Sequence, residues 1–118
     1  MTRVRARAVA VCLVALLCGA CGGSSVSCPN DTLACTLPAP SYASSVSTII
    51  QSRCVSCHGP GGQQASMPFT SYQQIFAARS PILNQVYACR MPPAGAAELT
   101  MGERTQLLGW LACSAPNN

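Results

Sequence analysis

The chain has 118 residues, of which 8% are charged, and its formal net charge at pH 7 is +4. This length allows one domain at most. Three of the seven basic residues lie in the first 20 positions; the other four stand against three acidic residues, which leaves a net charge of +1 for the rest of the chain. A nucleic-acid-binding surface needs clustered basic side chains, so no nucleic-acid partner is expected. The lack of lysine also excludes docking to partners through a ring of lysines.

Residues 1–20 have the pattern of a secretory signal peptide. Arg3, Arg5 and Arg7 precede an apolar run, residues 8–18, and small residues follow it. A membrane-spanning helix needs roughly 20 apolar residues, so this run is too short to cross a bilayer. The pattern therefore predicts export.

The small residues at positions 19 and 20 directly precede Cys21 and resemble the lipobox of bacterial lipoproteins, although Cys18 stands where that pattern prefers leucine. The resemblance implies that Cys21 is lipidated and becomes the new N-terminus. We then expect a periplasmic protein that a lipid anchor holds at a membrane. The alternative is an ordinary secreted protein cut nearby.

Residues 21–41 are rich in Gly, Ser, Thr and Pro and predict a lipid-anchored flexible arm. Apolar residues then recur at helical spacing, which predicts a short helix that ends near Cys54. Ser71 and Gln74 have the spacing of a capping box, in which each side chain bonds a free backbone N–H at a helix start. A second helix is expected to follow them.

The last part of the chain predicts two more helices. Ser80 followed by Pro81 is typical of an N-cap with a proline in the first helical turn. Thr100 and Glu103 form a second capping-box pattern before a final apolar helix. No stretch alternates as a strand, so we expect a small all-α domain over residues 42–118.

Cys54, Cys57 and His58 form a Cys-x-x-Cys-His motif. Paired cysteines at this spacing serve as a redox disulfide, as half of a zinc site, or as the attachment point of a haem. A structural zinc site needs four ligands, so Cys89 and Cys113 would have to complete it. A thioredoxin-like redox pair would lie among strands, whereas this neighbourhood is predicted to be helical.

The histidine directly after the second cysteine favours covalent attachment of haem. Two thiols at this spacing reach the two vinyl groups of the porphyrin, and His58 then binds the iron from one face. Export agrees with this chemistry, because c-type haem is attached outside the cytoplasm. Below roughly 80 residues a domain builds only a thin core, which a large apolar cofactor would fill. We therefore expect one covalent haem c.

Here the chain resembles the class I cytochrome c family. The matching parts are the Cys-x-x-Cys-His motif after a short helix, the sequence RMPP, and the terminal helix within LTMGERTQLLGWLACSAP. The resemblance implies a small helical bundle around a covalently attached haem, with electron transfer as its usual activity.

Met91, the methionine of RMPP, is the expected second axial ligand. Methionine sulfur is a soft neutral ligand that raises the potential of the iron. Pro92 and Pro93 keep Met91 on an extended loop, where its side chain can point inward. The alternatives are Met67, which is close to the histidine in sequence, Met101, which lies in a predicted helical turn, or no strong ligand.

The family also implies that a proline carbonyl contacts the imidazole N–H and thereby fixes its tautomer. Pro68 fits that place better than Pro60. Four side chains are candidates for hydrogen bonds to the haem propionates, although solvation or core packing explains each of them equally well: Arg90, Tyr72, Tyr87 and Trp110.

In an exported protein, cysteines without another role are expected to pair. We expect the disulfides Cys28–Cys35 and Cys89–Cys113, the second of which would tie the methionine loop to the final helix. The alternative makes Cys89 a thiolate ligand of the iron.

The expected function is electron transfer with redox partner proteins outside the cytoplasm. The chain is not expected to be an enzyme, because its one histidine is already committed to the iron and no paired carboxylates accompany it. If the bond from Met91 to the iron is labile, a haem-based gas or redox sensor or a peroxidase-like enzyme becomes the alternative.

Overall fold

The computed structural model describes residues 28–118. Within that range the protein is all-α, as predicted, and contains no strand. A π-helical turn, Tyr42–Val46, runs directly into the first α-helix. Five α-helices follow in chain order: α1, Ser47–Arg53; α2, Val55–His58; α3, Tyr72–Ala77; α4, Arg79–Tyr87; and α5, Met101–Ala112. The predicted signal peptide and the predicted lipidation at Cys21 lie outside the described residues. No helix within residues 28–118 is long and apolar enough to cross a membrane.

The apolar core is built around α5, which packs against α4 and the first helical turn. Trp110 is fully buried, and the ring of Tyr42 stacks on it at 5.6 Å between centroids. Burying apolar surface stabilises the fold by about 25 cal/mol per Å². The same cluster contains further buried side chains of α5 and others from the first helical turn, α1, α3, α4, the loop before α3 and the C-terminal tail: Val46, Ile50, Phe69, Ile75, Val86, Leu107, Leu108, Leu111 and Ala115.

Both predicted capping boxes are confirmed. The Ser71 side chain accepts from the Gln74 N–H at the start of α3, and Thr100 accepts from the Glu103 N–H at the start of α5. In both cases the side chain at the third helical position also accepts from the backbone N–H of the capping residue. Each box satisfies two of the backbone donors that a helix start leaves free.

The predicted N-cap at Ser80 is wrong. Helix α4 begins at Arg79, and its N-cap is Ala78, which has no capping side chain. A single residue separates α3 from α4, and the Ala78 N–H already bonds carbonyls of α3. Ser80 and Pro81 therefore lie in the first turn, where a proline costs no hydrogen bond because the first N–H groups of a helix lack partners.

The C-terminal tail closes the domain against the first helical turn. The carbonyl of Asn118 accepts from the Ala43 N–H, and its side-chain oxygen accepts from the Tyr42 N–H, both at 2.9 Å. Trp110 donates its indole N–H to the carbonyl of Pro116 at 2.9 Å. The free N–H groups at the start of the domain are thus satisfied by its last residues.

The disulfides join partners different from those predicted. Cys28 bonds Cys89, and Cys35 bonds Cys113, so the predicted pairs Cys28–Cys35 and Cys89–Cys113 are wrong. Four cysteines allow three connectivities that a sequence does not distinguish. The fold decides among them because it lays residues 28–41 against the helical domain. This part of the predicted flexible arm is thereby crosslinked to the domain at two points.

Candidate functional site

The Cys-x-x-Cys-His motif occupies the junction of α1 and α2. Cys54 is the single residue between the two helices, while Cys57 and His58 close α2. The Cys54 N–H bonds the Ile50 carbonyl at 2.9 Å, and the Cys54 carbonyl accepts from Cys57 and His58 at 3.1 and 2.8 Å. Residues three apart in such a turn lie on the same face. Both thiols are free and partly buried.

Two glycines allow the chain to turn back closely after the motif. A Cβ atom at Gly59 would lie 2.5 Å from the Val55 carbonyl oxygen, and one at Gly62 would lie 2.2 Å from the Cys57 carbonyl oxygen. Contacts this short are excluded for any side chain. The Gln64 N–H then bonds the same Cys57 carbonyl at 2.9 Å. The loop after the motif is therefore packed directly on the second cysteine.

The imidazole of His58 is held in one orientation by two neighbours. Its Nδ1 lies 2.9 Å from the carbonyl oxygen of Met67, and the ring of Phe69 stacks on it at 4.2 Å with an angle of 13°. A carbonyl oxygen only accepts, so in the neutral imidazole Nδ1 carries the proton and Nε2 has the lone pair. The prediction that Pro68 supplies this carbonyl is wrong by one residue: the carbonyl of the preceding residue, Met67, makes the contact.

A cavity of about 390 Å³ adjoins the motif. Cys54, Cys57 and His58 line it, and Met91, from the loop after α4, lines it as well. Apolar side chains and prolines form most of the remaining wall: Met67, Phe69, Pro81, Ile82, Val86, Pro92, Pro93, Ala96, Leu99 and Leu107. A volume of this size and a mostly apolar wall are typical of cofactor sites.

The three methionines considered as iron ligands differ in position. Met91 lines the cavity, and its N–H bonds the Gln85 carbonyl at 3.2 Å, which ties it to the last turn of α4. Met67 also lines the cavity but is 47% exposed, and it supplies the carbonyl for His58. Met101 is 60% exposed and does not line the cavity. The geometry therefore favours Met91.

Charge is scarce around the cavity. Arg53 is the one charged residue in its wall, and its guanidinium contacts both carboxylate oxygens of Glu103 at 3.0 to 3.2 Å. The polar side chains that line it are amides: Gln63, Gln64 and Gln85. Burial, and then the neighbouring Cys57, raises the pKa of the Cys54 thiol to about 11.

The structure disfavours the competing chemistries. Cys89 and Cys113 are disulfide-bonded and so are not available as zinc or iron ligands. Within residues 28–118 no three His, Cys, Asp or Glu side chains converge as a metal site. The thiolate is the nucleophile of a redox-active cysteine, and the raised pKa of Cys54 disfavours a thiolate at that position.

None of the four side chains suggested for propionate contacts lines the cavity. Trp110 donates to Pro116, and the hydroxyl groups of Tyr72 and Tyr87 donate to the carbonyls of Ala115 and Asp31. The fourth, Arg90, is exposed. Sequence reasoning instead missed the cavity-lining polar residues Arg53, Gln63, Gln64 and Gln85. The sequence offered one signal for these residues: Arg53 directly precedes Cys54 and so had to lie near the motif.

Comparison with protein-family models, with curated proteins and with solved structures finds no match to this chain. The functional argument therefore depends on the residues of the cavity and their geometry.

Proposed function

We propose that this protein is an extracytoplasmic electron carrier that holds one haem c through Cys54 and Cys57, with His58 and Met91 as the axial ligands. The observation that carries the proposal is the cavity whose wall contains all four residues, although Met91 is 33 positions from His58 in the sequence. Chain folding brought them together around an apolar space. The mostly apolar wall suits a large apolar cofactor, whose binding would bury that surface.

The residues of the motif have separate tasks. Cys54 and Cys57 would bind the group covalently through their sulfurs, each as a thioether formed when S–H adds across a vinyl double bond. His58 offers Nε2 to the iron, because its Nδ1–H is committed to the Met67 carbonyl. Such an outer hydrogen bond orients a ligating imidazole and raises its basicity. When bound, haem supplies the exchange of one electron between ferric and ferrous iron.

Met91 distinguishes a carrier from a sensor or a peroxidase-like enzyme. A carrier needs both axial positions filled, whereas gas binding and peroxide chemistry need an open one. A thioether ligand from Met91 would fill the second position and raise the reduction potential. Its N–H bond to the Gln85 carbonyl and its place in the cavity wall support the carrier.

The wall residues also indicate how redox partner proteins would dock. Gln63, Gln64 and Pro93 line the cavity and are exposed, and Arg53 is neutralised by Glu103. A partner would therefore meet a cavity wall with little net charge, so we expect steering by charge from these residues to contribute little to the association rate. With the predicted lipid anchor, the carrier would serve partners at the same membrane.

The test is the intact mass and absorption spectrum of the protein expressed in a host that attaches c-type haem. The expected mass includes one haem, and alkylation after denaturation without reductant should label neither Cys54 nor Cys57, since both are in thioethers. The ferric protein should show the methionine–iron charge-transfer band. The reduced protein should not bind CO. A colourless protein in which Cys54 and Cys57 are alkylated would refute the proposal. A haem protein that binds CO readily would favour the sensor or peroxidase-like alternative.

A further inference from the structure

Arg104 is the one charged side chain among residues 28–118 that is buried, with 6% of its surface exposed. It lies on α5, and its guanidinium donates to the carbonyls of Val86 and Tyr87 and to the Asp31 carboxylate, the last at 2.6 Å. A buried charge is tolerated only when it is paired and hydrogen-bonded. Arg104 is costly to bury, and its hydrogen bonds join three segments: α5, the end of α4 and the arm.

The two carbonyls bound by Arg104 belong to the last turn of α4. The last carbonyls of a helix lack partners within the helix, and a cation near them is favourable because the helix dipole is negative there. The preceding carbonyl, that of Gln85, accepts from the N–H groups of Arg90 and Met91 at 2.8 and 3.2 Å. The last turn of α4 thus bonds the backbone of Met91 through the Gln85 carbonyl and the side chain of Arg104 through the next two carbonyls.

The arm completes this arrangement. The hydroxyl of Tyr87 donates to the Asp31 carbonyl at 3.3 Å, and Cys28 is bonded to Cys89, two residues before Met91. The Cys28 sulfur lies 3.3 Å from the Tyr87 carbonyl oxygen. The end of α4 and Cys89 are therefore both tied to the arm.

We propose that the arm residues Cys28 and Asp31, the Cys28–Cys89 disulfide and Arg104 form a clamp that positions Met91 in the cavity and limits its departure from the iron. The clamp rests on the proposed function, since it acts on the expected axial ligand. Met91 has no covalent bond to the cofactor, so its residence depends on how rigidly its loop is held. Cys54, Cys57 and His58 would need no such clamp, because the two sulfurs would attach this segment covalently to the haem.

The second disulfide provides a matched control. Cys35–Cys113 crosslinks the same arm to the end of α5, 22 positions beyond Met91 in the sequence. It shares with Cys28–Cys89 the general stabilisation that a long closed loop brings. Unlike Cys28–Cys89, the Cys35–Cys113 disulfide does not lie next to Met91 in the sequence.

The experiment compares haem-loaded C28S/C89S with haem-loaded C35S/C113S. The readouts are the affinity of the ferric protein for imidazole, which replaces Met91, and the pH at which the methionine–iron band disappears. We expect imidazole affinity to rise about tenfold more in C28S/C89S than in the control, because the apparent affinity scales with the fraction of molecules whose methionine has left the iron. The band should also be lost at lower pH in C28S/C89S.

Arg104→Lys tests the other half of the clamp, with Arg79→Lys as its control. Arg79 also donates to a helix carbonyl, that of Phe76, but does not contact the end of α4. Imidazole affinity should rise in R104K and stay at the wild-type value in R79K. If R104K does not fold, Asp31→Asn gives the same comparison, because it removes the counter-charge and leaves Arg104 in place.

Two results would overturn the inference and are distinguishable. Equal imidazole affinities in the two disulfide variants would show that Cys28–Cys89 contributes general stability alone, and would leave the proposed function intact. A haem-loaded Met91→Ala protein with the wild-type spectrum would refute Met91 as the ligand, and the clamp with it.

Discussion

The two sides of the cavity are held by different means. On the histidine side, Cys54, Cys57, His58 and the carbonyl of Met67 lie within 14 consecutive residues and are joined by short-range backbone bonds. On the methionine side, Met91 bonds Gln85, and the adjoining segment is joined to residues that are distant in the sequence, including through a disulfide that spans 61 positions. A site built from residues close together in the sequence requires only that this one segment is folded. A site assembled from distant residues exists only when the whole domain is intact, and four experiments test this difference.

The largest effect is expected on the histidine side. Replacing Cys54 and Cys57 with serine removes both sulfurs, so we expect complete loss of covalently bound haem. Intact mass after denaturation measures it. Ser56→Ala, at the exposed position between them, is the control and should retain one haem per chain. Covalent haem in the double variant would contradict the motif's role.

On the methionine side, Asp31→Asn should lower the free energy of unfolding by about 2 kcal/mol. Breaking a buried ion pair leaves an uncompensated charge and costs more than this when both partners are fully buried. The Asp31 side chain retains 19% exposure, which reduces the cost. Denaturant unfolding measures the change, with Glu98→Gln as the exposed control. Equal stabilities for the two variants would mean that Arg104 does not need its counter-charge.

Gly62→Ala tests how tightly the loop is packed on the histidine side. The new Cβ would meet the Cys57 backbone, so we expect a loss of about 1–2 kcal/mol, in the lower part of the usual range of about 1–3 kcal/mol for overpacking. Thermal unfolding measures it. Gly102→Ala is the control: it lies in α5 with no atom within 4 Å of the new methyl group. That change should stabilise the helix by about 0.5–1 kcal/mol. Destabilisation by both would indicate that loop packing is not the cause.

The smallest effect concerns Glu103, which caps α5 and pairs with Arg53 beside the cavity. The hydrogen bond from the Thr100 backbone N–H, and then the Arg53 guanidinium, hold the pKa of Glu103 below its ordinary value. A lowered pKa in the folded state stabilises the protein above the unfolded pKa of about 4.3, and this contribution is lost as the pH falls through the folded value.

The difference in thermal midpoint between wild type and Glu103→Gln should therefore be largest near neutral pH and should shrink as the pH falls below about 4. Glu98→Gln, outside the capping box, should show no such trend. A difference independent of pH would assign the contribution of Glu103 to its hydrogen bonds rather than to its charge.

The comparison also explains which features were predictable. The capping boxes at Ser71 and Thr100 join residues three positions apart, so their geometry follows from the helix itself and the sequence is enough to find them. The same holds for the spacing of Cys54 and Cys57. The carbonyl that meets His58 was predicted one residue away from its true position, at Pro68, because loop geometry between helices has no comparable short-range rule.

The sequence alone determined the helical character of the domain, the motif and the candidate status of Met91, because each depends on residues within a few positions of one another. The tertiary structure alone decided the pairing of the cysteines, the engagement of Trp110 and Tyr87 away from the cavity, and the burial of Arg104 against Asp31. These contacts join segments up to 78 positions apart. Their selection depends on how the arm and the helices pack together, and local patterns contain no information on that packing.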